Sequence, residues 1–174
     1  MTTPETNAAD VAIPAKISPL KALGLLVAVA VVIVIYVMLF GMLGNLEFYA
    51  GFLFLACWTL IDQGKMARLP HAVCGSAVGL ALGYGMHVLM TTMGAAGGNV
   101  FGIIVLVVVY CQIIGWLPLF INATTMMFLS VVTIPHIQEH GDFTNMAIAL
   151  GIGVVYFGLI LGIASRMSAT PNAV

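Results

Sequence analysis

Residues 100–134 read VFGIIVLVVVYCQIIGWLPLFINATTMMFLSVVTI, thirty-five positions without a charged side chain. Whether this stretch is one helix or two decides the fold. A helix needs about 20 apolar residues to cross the ~30 Å hydrocarbon core of a bilayer, and this run is far longer. Pro118 stands in its middle, where proline removes a backbone donor and clashes with the preceding turn. A break at Trp116–Pro118 is expected, leaving Val100–Gly115 and Leu117–Ile134 as separate spans.

Outward from that break, four more apolar runs follow the same logic: Ala22–Leu43, Leu46–Ile61, His71–Met93 and Phe143–Ser165. The expected fold is an all-α integral membrane protein with six transmembrane helices. Composition demands the same solvent. Charged residues make up 6% of the chain and apolar ones 62%, against about a quarter charged in a soluble domain. So few charges cannot cover a water-facing surface, and lipid is the expected partner. A net charge of -1 gives no reason to expect nucleic acid.

The five positive side chains fix an orientation. Lys16 and Lys21 precede the first span, Lys65 and Arg68 follow the second, and Arg166 follows the last. The other connections hold Glu47, Glu139 and Asp142, or no charge. Cytoplasmic loops retain Lys and Arg, so both termini are expected in the cytoplasm. Residues 1–20 read as a disordered cytoplasmic tail and 167–174 as a second tail. Cys57, Cys74 and Cys111 all lie within spans, which speaks against a disulfide framework.

Sliding the chain by 74 residues aligns the first three spans with the last three. It pairs Val31/Val105, Tyr36/Tyr110, Gly41/Gly115, Leu43/Leu117, Phe54/Phe128, Thr59/Thr133 and Gly79/Gly153. The breaks near Gly44 and Pro118 coincide, as do those near Asp62 and His136. Residues 21–93 and 94–166 then form two three-helix units. Three spans per unit is odd, so the second copy enters the membrane upside down, a plan common in transporters and channels. Gly75, Gly79 and Gly83 in span three, and Gly151, Gly158 and Gly162 in span six, are spaced for close helix packing. The two spans are expected to meet at the pseudo-symmetry axis, and the same rows admit a homo-oligomer.

Polar side chains inside spans face the bundle or a cavity. Gln112, Asn122, Thr124, Thr125 and Thr133 are the main group, and His87 extends the glycine row outward. They are solute-pathway candidates; the alternative is that they bond one another across helices. His136-Ile-Gln-Glu139-His140 matches the H-x-x-E-H zinc-peptidase pattern, with Asp142 or Glu47 as possible third ligands. It stands between Pro135 and Gly141, in a short translocated connection, and is read as a hydrated loop. No catalytic residue and no cofactor is expected. Met86, Met90 and Met93, with Met38 and Met42 at a similar depth, carry thioethers that suit copper(I). Methionine is also a flexible gap filler, and that reading is preferred.

Phe48-Tyr-Ala-Gly-Phe-Leu-Phe-Leu-Ala-Cys-Trp58 is followed by the Gly-rich third span. With Leu117-Pro-Leu-Phe-Ile-Asn-Ala-Thr-Thr-Met-Met-Phe128, it resembles a bacterial family of small multi-span inner-membrane proteins, domain of unknown function 1097. The resemblance covers about Ala22 to Arg166 and implies the architecture, without an activity. This chain departs from it early in span five, with Asn122, Thr124 and Thr125 where Pro and small residues are usual. The expected function is a small-solute channel or transporter for an unknown solute. A structural or regulatory membrane subunit is the alternative, and a metal-dependent membrane enzyme a distant one.

Overall fold

A computed structural model describes residues 18–44 and 47–168. Lys16 and nearly all of both expected tails lie outside the described residues. Pro19 and Leu20 already belong to the first helix, and the last helix runs on to Ser168. The described elements are all helical: α1 (Pro19–Leu43), α2 (Tyr49–Asp62), α3 (Leu69–Met93), α4 (Ala95–Ile113), α5 (Ala123–Val132), α6 (Pro135–His140) and α7 (Phe143–Ser168). A 3-10 turn, Met66–Arg68, leads into α3. Ala22–Leu43, Met66–Met93, Ala95–Ile113 and Phe143–Arg166 are long and apolar enough to cross a membrane. The other two expected spans are shorter helices, α2 with 14 residues and α5 with 10. At 1.5 Å per residue α5 extends only about 15 Å, half the hydrocarbon core.

The described chain divides into two compact units, one ending at Leu39 and the other beginning at Phe40. The first contains α1 as far as Leu39, where Ala22 to Ile35 carry no polar side chain. Such a helix, apolar on every side, belongs in lipid or a large core.

In the second unit α3 is the hub, touching α2, α4, α5 and α7, while α2 packs along α7. α4 turns back directly on α3 because Gly94 takes φ 57° and ψ -134°, a conformation closed to residues with a side chain. α4 ends at Ile113 and the chain leaves helical geometry, with Gly115 and Leu117 at φ 68° and 55°. Trp116 N–H closes the helix end on the Cys111 carbonyl at 2.8 Å. The expected break is therefore present. It is longer than Pro118 alone requires, because α5 starts only where Asn122 caps it.

The glycine row of α3 meets α5, and here the expected partner changes. A methyl group on Gly79 would stand 2.5 Å from Phe128 Cβ and 2.8 Å from the Thr125 carbonyl oxygen. One on Gly75 would strike the Asn122 amide, and one on Gly83 the Val132 side chain. α7 does touch α3, but its close approach is to α2, where a methyl on Gly153 would lie 2.6 Å from Gly51 Cα. Gly151 has nothing within 4 Å, whereas Gly158 and Gly162 make ordinary contacts with Leu69 and Met66. The span-three row thus packs as a row, and the span-six row does not. Backbone approach depends on which neighbour arrives, and α5 presents its capped end to Gly75.

Candidate solute site

Asn122 is the N-cap of α5, with extended φ and ψ of -145° and -178°. Its Oδ1 accepts the Thr125 backbone N–H at 3.2 Å, and Thr125 Oγ1 accepts the Asn122 N–H at 3.2 Å. This reciprocal capping box satisfies two helix-end donors. Thr125 is fully buried and donates its hydroxyl to the Phe120 carbonyl at 2.7 Å. Asn122 Nδ2 donates to Leu119 O at 3.2 Å and to His71 O, across on α3, at 3.0 Å. Asn122 and Thr125 therefore bond within the α5 cap and across to α3.

Gln112 differs. It lines a cavity of about 270 Å³ with Asp62, Arg68, His71, Asn122 and Thr124. Its Oε1 is buried without a hydrogen-bond partner, as is His71 Nδ1. A buried polar atom left unbonded costs about 1–3 kcal/mol, so two of them beside one cavity call for a ligand or water. Each water takes about 30 Å³ of liquid, and the space holds several. Asp62 is half-buried and Arg68 exposed. Neither makes an ion pair among the described residues, so both signs of charge border the cavity. Four elements build it: the end of α2, the start of α3, the end of α4 and the cap of α5. Thr124, 1% exposed, backs the wall.

Thr133 and His87 lie elsewhere, bordering a second cavity of about 380 Å³ with Met86, Met90, Gln138 and Glu139. His87 is 16 residues from His71 on α3, about 24 Å along the helix. Thr133 bonds back to its own helix, at Leu129 O and Ser130 O. The six pathway candidates thus divide between the two ends of α5, with the glycine seam between them.

The H-x-x-E-H stretch is a short helix, α6, started by Pro135 and ended by Gly141, where a loop was expected. His136 and His140 stack at 4.9 Å between ring centres, and both are exposed. Among the described residues no three His, Cys, Asp or Glu gather to hold a metal. The two possible third ligands are engaged: Glu47 accepts the Asp142 N–H at 3.3 Å, and Asp142 caps α7 at Thr144 and Asn145.

Two residues escaped the sequence reading. His71 stood there only as the first residue of the third span, and Gln138 only as the interior of a motif. Gln138 is 8% exposed and donates Nε2 to Val132 O at 2.6 Å and Gly83 O at 3.1 Å. It ties α6 to the last carbonyl of α5 and to α3. Its partner on α3, Gly83, is 55 positions away along the chain, so no local signal marks it.

Compared with family models, curated proteins and solved structures, the chain matches none.

Proposed function

We propose that this is a multi-pass inner-membrane protein that passes a small solute, built from two inverted three-helix repeats with both termini in the cytoplasm. The observation that carries the reading is the pair of unbonded polar atoms, Gln112 Oε1 and His71 Nδ1, beside a cavity bordered by Asp62 and Arg68. A solute leaving water there would have Gln112, His71, Asp62 and Arg68 around it as polar partners. The second cavity stands at the other end of α5, and the seam of Gly75, Gly79 and Gly83 closes the way between them. In this reading α5 is the gate, and the two cavities open to opposite faces.

Helix spacing supports the repeat. α2 and α5 begin 74 residues apart, at Tyr49 and Ala123, and so do α3 and α7, at Leu69 and Phe143. A pseudo-two-fold axis exchanges partners, so a contact of Gly79 with Thr125 requires one of Gly153 with Gly51. Both close approaches are present. Thr59 and Thr133, also 74 apart, bond back to equivalent carbonyls, at Leu55 and Ala56 and at Leu129 and Ser130. Paired short helices in the two halves are the usual seat of a transporter site. A multi-span inner-membrane protein is also what resemblance to the domain of unknown function 1097 family implies. Asn122 and Thr125 favour the second reading, a structural subunit, because their bonds are spent inside the bundle.

Purified protein in vesicles, assayed by stopped-flow light scattering with urea, glycerol and glycine, tests the proposal. The wild type should pass at least one of them faster than protein-free vesicles, and Gln112→Leu should abolish that flux without lowering thermal stability. Absence of flux for every solute, in the wild type as in the variant, would favour the subunit.

A further inference from the structure

We infer that His87, Met86 and Met90 form a binding site for a soft monovalent cation of the copper(I) class, at the end of α3 away from His71. The inference is independent of solute passage. It begins with the imidazole. His87 Nδ1 lies 2.9 Å from the Gln138 carbonyl oxygen. A carbonyl only accepts, so Nδ1 carries a proton, which leaves Nε2 as the ring nitrogen whose lone pair a metal would take. The Phe143 ring, 5.5 Å away between centres, helps fix the imidazole plane. A metal-binding histidine typically donates its other N–H to a carbonyl or carboxylate, which sets tautomer and orientation. His87 is already in that state.

Two thioethers border the same cavity. Met86 and Met90 are one helical turn apart, and their positions with His87 fall within one side of α3. Met90 is 42% exposed and flexible enough to receive an ion and fold over it. Gln138 adds an independent observation. It is 8% exposed and borders this cavity. Its Nε2 is fixed by two carbonyls, while its Oε1 is buried without a partner. Calcium and magnesium require several oxygens, and structural zinc takes thiolate and imidazole. Two thioethers with one imidazole match copper(I), for which soft sulfur donors select. This differs from the His136/His140 pair, which has no third ligand among the described residues.

Silver(I), which does not change oxidation state, is the probe. The full chain in detergent, labelled with 13C at methionine methyls, is titrated and read residue by residue; this separates the site from the thiols of Cys57, Cys74 and Cys111. The Met86 and Met90 methyls should shift together and saturate at one silver per chain, with zinc shifting neither. The volume-conserving double variant Met86→Leu/Met90→Leu should keep its thermal stability and weaken silver binding by at least about tenfold. His87→Gln should weaken it as well, and His136→Ala/His140→Ala should not. The inference is overturned if silver leaves both methyls unmoved, if His87→Gln binds as tightly as the wild type, or if zinc occupies the site in preference to silver.

Discussion

At the scale of single residues, Asn122 and Gln112 border one cavity and do opposite things. Asn122 uses its carbonyl in the α5 cap and its amide on three carbonyls, one of them on α3. Replacing a capping Asn costs about 0.5–2 kcal/mol, and a leucine there would also press on Gly75. Asn122→Leu should therefore lower the thermal unfolding temperature in detergent whatever it does to flux. Gln112→Leu removes an acceptor that is buried and unbonded, and exchanging such a group for an apolar one is near neutral or stabilising. Its unfolding temperature should hold or rise. A fall as large as that of Asn122→Leu would mean that Gln112 bonds within the bundle, contrary to its geometry.

At the scale of elements, two of the close helix approaches are the seams of α3 on α5 and α7 on α2, beside that of Gly97 on α4 to Leu89 on α3. Overpacking a tight contact costs typically 1–3 kcal/mol, while alanine gains about 1 kcal/mol over glycine in a helix. Gly79→Ala and Gly153→Ala should each destabilise the protein. Gly151→Ala, with open space beside it, should hold or gain stability; thermal unfolding of the three variants reads the difference directly. The short α6 makes a separate prediction. Its fold rests on Gln138 and on its Pro and Gly ends, not on the exposed imidazoles. His136→Ala/His140→Ala should fold normally, and metal analysis of the purified wild type should find no zinc in stoichiometric amount. One zinc per chain that disappears in the double variant would restore the enzyme reading.

At the scale of the molecule, the orientation is the accessible quantity. With native cysteines replaced, a cysteine at Glu139 should react with an impermeant reagent added to intact cells, and one at Lys65 should not. The reverse pattern would invert the proposed topology, and reaction of both would change the number of spans. The proposed inverted repeat makes its own demand, because it would exchange the two seams. Gly79→Ala and Gly153→Ala should thus lower stability by comparable amounts.

Much of this was readable along the chain. The apolar runs, the break near Pro118 and the 74-residue offset are local or periodic properties, set by whether a segment can stand in water or lipid and by where proline forbids a helix. The sequence alone determined that the protein is helical and largely apolar, and which residues carry polar groups within it. Tertiary structure decided what those groups do. Asn122 reaches His71 and His87 reaches Gln138 across 51 positions of chain, and Gly79 meets α5 rather than the expected span-six partner. Helical periodicity gives the face a residue occupies but not the neighbour that arrives there. That is why the five candidates that read as one polar group divide between two cavities, with a seam of glycines between them.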